Sequence, residues 1–181
     1  SADAPIRRSL QTVLYKILKE LNLILAPVLV HTAEEIYEHT PHTDKESVHL
    51  ELYPEREETD AELVEKWQKF MTVRDDVYKA LEEARNEKVI GKSLDAKVTL
   101  TQPADFNLDD IRGNLEQFFI VSQVEVAETV ADGTEYDVVT VKVEHADGER
   151  CNRCWNYSTA DSIVSGHDDI CPRCREVVDN A

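Results

Sequence analysis

Two Cys-x-x-Cys pairs, Cys151/Cys154 and Cys171/Cys174, constrain the fold of this chain more than any other feature of its sequence. Sixteen residues separate the pairs, a spacing typical of structural zinc sites. Each pair can direct two thiolates towards one point, and Zn²⁺ accepts four sulfur ligands in a tetrahedron. Because four ligands leave no position for water or substrate, the pattern predicts one structural Zn²⁺ per chain and no metal-based chemistry.

The alternative is a pair of disulfide bonds among the same four cysteines, which are the only cysteines in the sequence. Disulfides persist mainly in oxidising compartments, and no secretory signal pattern opens the chain. No apolar run approaches the ~18–20 residues that a membrane span needs. We therefore predict a cytoplasmic protein with no membrane partner, and we favour zinc over disulfides.

The first half of the sequence has the periodicity of helices. Apolar residues recur at a period of 3.6 over residues 6–25, and a Thr-Ala-Glu-Glu run at Thr32 has the spacing of a capping box, which predicts a second helix. A third, long helix is predicted over residues 61–90, with Gly91 as its C-terminal cap. Arg74 lies on the apolar stripe of this helix, where it would be a salt-bridged spacer or a ligand contact.

Beyond Lys92 the pattern changes to alternation with β-branched residues, which predicts a small β-α-β-β unit packed on the long helix. Its predicted elements are strands 95–101, 120–128 and 135–146 and a helix over 106–119. The fold class is therefore α+β in several parts. The predicted parts are a helical segment (1–60), the long helix (61–93), the α/β unit (94–146) and a four-cysteine zinc-binding module (147–181).

The net charge of −17 argues, at first sight, against a nucleic-acid partner. The charge is uneven, however, because residues 34–65 hold 12 acidic residues against Lys45 and Arg56. Four arginines flank the cysteines, and a zinc ion with four thiolate ligands carries a formal charge of about −2. These arginines either neutralise the cluster or contact an anionic partner.

Several stretches of the sequence resemble one protein family in consistent order. LAPVLVHTAEEIYEHTP (25–41) and SVHL (47–50) resemble the helical anticodon-binding domain of class I aminoacyl-tRNA synthetases. FMTVRDDVYKALEEARNEKVIGKSLDAKVTL (70–100) narrows the resemblance to the bacterial isoleucyl-tRNA synthetases. HADGERCNRCWNYS followed by CPRCREVV (145–178) is similar to the zinc-binding C-terminus of the same family.

The resemblance implies a C-terminal piece of such a synthetase, with residues 1–60 as the end of the anticodon-binding domain. The family's HIGH and KMSKS signatures do not occur here, so we expect no catalytic residue, no editing activity, and a need for ATP only in the missing catalytic domain. The implied partners are the anticodon arm of isoleucine tRNA and the remainder of the synthetase in cis, with the protein a monomer.

Recognition of unpaired anticodon bases requires aromatic stacking and hydrogen bonds to base edges. Trp155 either stacks on a base or packs over the metal cluster. The candidate RNA-binding residues are Arg150, Arg153, Trp155, Tyr157, Arg173 and Arg175 beside the cysteines, and Arg85, Lys88 and Lys92 at the end of the long helix.

Two other functions are possible from the sequence alone. A free-standing zinc-ribbon adaptor would bind proteins through its acidic helices and would have no affinity for tRNA. A zinc hydrolase would need an open coordination position and His or carboxylate ligands. His145 and His167 lie near in sequence, but four cysteines already saturate the metal.

Overall fold

The computed structural model describes residues 5–55, 58–111, 115–159 and 169–179. It divides into two compact units, residues 1–58 and 59–181. Helices and two sheets together confirm the predicted α+β class. No helix in the described ranges is long and apolar enough to cross a membrane.

The first unit consists of α1 (Pro5–Leu25), α2 (Val30–His39) and a short 3-10 turn at Val48–Leu50. Its small core contains Ala26, Ala33, Tyr37 and Val48. The Asn22 side chain is buried in α1 and donates to the backbone oxygen of Ala33 at 3.0 Å, which ties α1 to α2.

The capping box predicted at Thr32 is wrong. Helix α2 begins at Val30, and the preceding Leu29 makes no side-chain capping bond. The carboxylate of Glu34 instead accepts hydrogen bonds from the Ser47 hydroxyl (2.8 Å) and the Val48 amide (3.2 Å). Glu34, the neighbour of the Glu35 that suggested a cap, therefore anchors the connector beyond α2.

The predicted apolar stripe of α1 exists, but most of it remains exposed. Ile6 is 78% exposed, Leu14 54% and Ile24 62%. The 3.6 period correctly predicts the helix, while its buried residue is the polar Asn22.

The core of the second unit lies between α3 (Ala61–Asn86) and a four-stranded sheet. Asp60 caps α3 by accepting a hydrogen bond from the Leu63 amide at 3.0 Å. Apolar residues three and four apart on α3 face the sheet, as the periodicity predicts. Those buried are Phe70, Val73, Val77, Ala80, Leu81 and Ala84.

The sheet is mixed and has four strands. Strand β1 (Ala96–Thr101) pairs in parallel with β2 (Gln123–Ala127) and antiparallel with β4 (Thr140–His145), and β3 (Thr134–Glu135) pairs antiparallel with β4. Helix α4 (Leu115–Phe119) precedes β2, so the predicted β-α-β order of the unit is present. The single strand predicted over 135–146 is wrong, because this segment forms two strands, β3 and β4, that pair with each other.

Several predicted boundaries are wrong for identifiable reasons. Helix α3 ends at Asn86, and Lys88 rather than Gly91 takes the left-handed conformation with φ 62°. The Val89 amide then donates to the Ala84 oxygen at 2.9 Å, which closes the helix. The predicted helix over 106–119 is a 3-10 turn at Leu108–Asp110 followed by α4, and residues 112–114 of that prediction lie outside the described ranges.

One buried carboxylate links α3 to the sheet. Asp76 is 1% exposed, and its Oδ2 accepts the Val138 amide at 2.8 Å. The Lys79 ammonium lies 3.6 Å from Asp76 Oδ1, which is close enough for an ion pair but too far for a hydrogen bond. Nearby, the Arg74 guanidinium lies 4.9 Å from the Tyr78 ring centroid, so this arginine makes a cation–π contact within the protein.

The cysteine-bearing module begins with a hairpin of β5 (Glu149–Arg150) and β6 (Tyr157–Ser158), and ends with α5 (Pro172–Asp179). It is attached to the sheet through Ser122, whose hydroxyl accepts the Tyr157 amide at 2.7 Å and donates to the Leu94 oxygen at 2.6 Å. Residues 160–168 of the connection between the cysteine pairs lie outside the described ranges.

Candidate metal centre and nucleic-acid interface

The four predicted cysteine ligands come together at one point. The Sγ atoms of Cys151, Cys154, Cys171 and Cys174 all lie within 4.8 Å of one another, and those of Cys154 and Cys171 are 3.7 Å apart. A tetrahedral zinc with bonds of ~2.3 Å requires sulfurs ~3.8 Å apart. The four thiols are free rather than disulfide-bonded, so the residues present fit a closed four-sulfur site for a structural metal.

Local backbone structure explains why the sulfurs converge. The Trp155 amide donates to the Cys151 oxygen at 2.9 Å, and Trp155 adopts a left-handed φ of 65°, so the first pair folds into a tight turn. Pro172 occupies the first position of α5, where its missing N–H costs nothing. This start places Cys171 just before the helix and Cys174 on its first turn.

The cysteine thiols differ in acidity. Burial disfavours ionisation of Cys151, but amide N–H groups of Cys154, Cys171 and Arg153 outweigh it and lower the pKa of Cys151 to about 6. Burial and the neighbouring sulfurs raise the pKa of Cys171 to about 12 and also raise that of Cys154. Four thiolates this close together would repel one another, and a divalent cation would relieve that repulsion.

The two arginines nearest the sulfurs have different surroundings. Burial alone would lower the pKa of Arg173, but a hydrogen bond to the Cys154 sulfur and the nearby thiolates raise it. The Arg153 side chain is exposed and has no partner in the described part of the chain. Arg173 is therefore engaged with the cluster, whereas Arg153 is available to a partner.

Trp155 does not pack into the cluster. Its side chain is 57% exposed, while the cluster packs against Ile170. The Lys92 ammonium lies 5.9 Å from the Trp155 ring centroid, although 62 residues separate the two in sequence. The sequence predicts two separate groups of RNA contacts, one at the end of the long helix and one beside the cysteines. Lys92 and Trp155 bring these two groups together in one exposed cation–aromatic pair.

Some of the remaining predicted RNA-binding side chains already contact other residues of the protein, and others do not. Arg85 pairs with Glu82 and donates to the Ser93 hydroxyl at 3.1 Å. The Tyr157 ring packs edge-on against His145 at 5.0 Å. The other basic candidates, Lys88, Arg150 and Arg175, have no side-chain hydrogen bond or ion pair with any described residue.

The histidines do not extend the metal site within the described ranges. His145 packs against Tyr157, and its Nδ1 lies 2.9 Å from the Ala146 oxygen. His167 lies outside the described residues. Four sulfurs without a histidine or carboxylate match a structural site better than a hydrolytic one.

Sequence reasoning missed the role of Gly148, which lies in the linker before the first cysteine pair. Its φ is 90°, and a Cβ at this position would lie 1.9 Å from the backbone oxygen of Ser158. Only glycine allows β5 and β6 to approach this closely. The Asp-Gly dipeptide at 147–148 is a turn signal that could have indicated it.

Comparison with known families identifies both ends of the chain. Residues 1–100 match the family described as the anticodon-binding domain of tRNA ligase. Residues 148–177, which include all four cysteines, match the family described as the zinc finger found in FPG and IleRS.

Curated relatives match nearly the whole chain. Isoleucine–tRNA ligase of Staphylococcus carnosus is 56% identical over 179 residues, and those of Staphylococcus epidermidis and Staphylococcus aureus are 52% and 53% identical over 179 and 180 residues. Each match covers 97% of this chain and 20% of the relative's length. These findings confirm the resemblance drawn from the sequence. Because the match to the anticodon-binding domain spans more than half of the chain, the protein belongs to the family of tRNA ligase anticodon-binding domains.

Proposed function

We propose that this chain binds the anticodon arm of isoleucine tRNA as a C-terminal part of an isoleucine–tRNA ligase. The observation that carries the proposal is its 56% identity, over 97% of its length, to a protein named isoleucine–tRNA ligase. The exposed pair of Lys92 and Trp155, with the available Arg153 beside it in sequence, supports an RNA-binding surface. The chain spans about 20% of the relatives' length, so ATP-dependent aminoacylation would reside in the other part of such an enzyme.

In this proposal the metal is one Zn²⁺ held by the four cysteines, and it acts only structurally. It holds the turn that carries Arg153 and Trp155. The chain itself activates no amino acid and edits no product. It works in cis with the remainder of the synthetase, in the cytoplasm, as a monomer.

The chemistry of the surface supports RNA over a protein partner. Aromatic rings with an exposed face stack on unpaired bases, and nearby cations contact phosphates. Trp155 offers the ring, and Lys92 and Arg153 offer the cations. The matched families give no support to the zinc-ribbon adaptor considered above.

The proposal is tested by measuring the affinity of the zinc-loaded chain for isoleucine tRNA and for a tRNA with a different anticodon, across a salt series. We expect the isoleucine tRNA to bind more tightly at every salt concentration, and both affinities to fall as salt rises because phosphate contacts release counterions. Equal affinity for the two tRNAs, or no binding at low salt, would refute it.

Substitutions of Trp155 test directly whether its ring stacks on a base. Replacing it with alanine should weaken binding by about tenfold, within the range of ~1–3 kcal/mol per stacked base. Trp155→Phe should restore most of the affinity because phenylalanine keeps a stacking face. If the alanine variant binds as well as the parent, Trp155 is not a stacking residue.

A further inference from the structure

A cleft of about 580 Å³ opens between the α/β unit and the cysteine-bearing module, and Trp155 is not among the residues that line it. One wall comes from α4 and the loop before β2, the other from β6 and the start of α5. Its volume is in the range of pockets that hold small ligands. Tyr157 and Arg173, which the sequence predicts as RNA-binding residues, are among the residues that line this cleft.

Uncommitted polar side chains line this cleft. The amides of Gln117 and Asn156 and the hydroxyl of Ser158 have no side-chain hydrogen bond among the described residues. Ser122, by contrast, uses its hydroxyl to join Leu94 to Tyr157. Polar groups that line a concave surface without partners in the protein can provide the hydrogen bonds that orient a ligand.

An apolar side chain stands at the same cleft in an unusual conformation. Ile120 has a φ of 58°, a region that β-branched residues rarely adopt, and its side chain is 56% exposed. The Val121 amide donates to the Glu116 oxygen at 3.0 Å and the Ser122 amide to the Ala96 oxygen at 3.2 Å, so the backbone on its C-terminal side is held in place. The fold thus keeps Ile120 in the lining instead of the core.

The charge of the lining favours a neutral, planar, polar ligand. Among the described residues, Glu116 supplies the one carboxylate of the lining and Arg173 the one guanidinium, and Arg173 is engaged with the Cys154 sulfur. A phosphate would therefore find little free positive charge here. A side-chain amide presents a donor next to an acceptor, the pattern that pairs with the edge of a nucleobase.

We propose that this cleft takes one unstacked nucleobase of the bound RNA, with the amides of Gln117 and Asn156 on its edge and Ile120 against its face. These residues determine specificity, separately from the stacking and phosphate contacts at Trp155 and Lys92. The inference rests on the RNA-binding function proposed above, and it assigns base reading to residues that carry no charge.

The experiment uses the zinc-loaded chain and a series of isoleucine tRNA anticodon stem–loops, in which each anticodon base is replaced in turn by an abasic site. With the parent chain, one abasic position should cost about tenfold in affinity through loss of the cleft contact. With Gln117→Ala that same replacement should cost clearly less, because the Gln117 contact is already lost while those of Asn156 and Ile120 remain. The salt slope should stay the same because no phosphate contact is lost.

Two further variants complete the test. Gln68→Ala removes an exposed amide from α3 and should leave every affinity unchanged. Asn156→Ala should behave like Gln117→Ala, but the Asn156 backbone amide donates to the Cys154 sulfur, so its zinc content is measured as well. If that variant loses zinc, Gln117→Ala alone decides, since Gln117 lies on α4.

The outcomes separate the two proposals. Absence of RNA binding by the parent chain refutes the proposed function. RNA binding by the parent, with the Gln117→Ala and abasic effects independent at every anticodon position, overturns the cleft proposal and leaves the proposed function intact.

Discussion

Gly148 offers the most direct test of how the backbone supports the metal site. Replacing it with alanine would put a Cβ 1.9 Å from the Ser158 oxygen and 2.4 Å from the Ser158 carbonyl carbon. Both are backbone atoms of β6, so neither can rotate away. The left-handed φ of 90° adds ~1–2 kcal/mol for an L-residue. The strands, which pair at two positions, must separate, and the lost backbone pairing adds about 1 kcal/mol for each position.

The resulting penalty of ~3–4 kcal/mol should be measurable as lost zinc affinity. Small metal modules fold as they bind their ion, so a substitution that destabilises the β5–β6 hairpin also lowers the affinity for zinc. At ~1.4 kcal/mol per factor of ten, Gly148→Ala should weaken zinc binding between about a hundredfold and a thousandfold. Titration against a chromophoric chelator measures this value.

Gly91→Ala is the matched control. A Cβ there would meet only the flexible Asp95 carboxylate at 3.2 Å, so zinc affinity should be unchanged. If Gly148→Ala also binds zinc as tightly as the parent, the hairpin does not support the metal site and the reasoning is refuted.

The same contacts support three further predictions. Chelation of zinc should unfold residues 145–181 but leave α3 helical, because a ~36-residue module cannot hold a core without its metal. Circular dichroism with amide exchange measures this, and loss of α3 would contradict it. Arg173→Gln should weaken zinc binding, whereas Arg153→Gln should weaken RNA binding and reduce the salt slope by about one; the reverse pattern would exchange their roles. Asp76→Ala should lower the free energy of unfolding by ~2–3 kcal/mol in urea, because it removes the buried carboxylate that accepts the Val138 amide and so joins α3 to the segment before β4. The exposed Asp75→Ala should change it by less than ~0.5 kcal/mol, and equal effects would contradict this assignment.

The parts of the structure that the sequence predicted well are those where one physical constraint determines the pattern. Tetrahedral coordination requires the spacing of Cys151, Cys154, Cys171 and Cys174, so the cluster could be predicted in full. The long helix was equally predictable, because a stripe from Phe70 to Ala84 has only one way to face a sheet.

Other features depend on information that is not local. Alternation predicts strands but has the same period in parallel and antiparallel pairs, so the mixed order β2-β1-β4-β3 could not be derived from it. The end of α3 was misplaced because glycine is a preferred terminator and not a required one, and Lys88 adopts the left-handed conformation. The amides of Gln117 and Asn156 have no characteristic spacing, and only the fold brings them to one cleft.

Burial then separates residues that the sequence treats as equivalent. Arg153 and Arg173 occupy the same kind of position, each two residues after the first cysteine of its pair. Yet Arg173 contacts the Cys154 sulfur, and Arg153 faces solvent without a partner among the described residues. The arginines near the thiolate cluster were expected either to neutralise it or to contact an anionic partner. Arg173 fits the first explanation and Arg153 the second.

The same distinction reconciles a net charge of −17 with the proposed RNA partner. Net charge describes the field at long range, which salt screens over ~8 Å under physiological conditions. Contacts at a surface depend instead on which cations lie there without a carboxylate partner. Lys92 lies against an exposed aromatic ring, and Arg153 is unpaired within the described ranges. A chain of this charge gains little from long-range attraction to RNA. In the proposed function, discrimination among tRNAs comes from short-range stacking and base-edge contacts, the kind of interaction that the Trp155 surface and the neighbouring cleft can make.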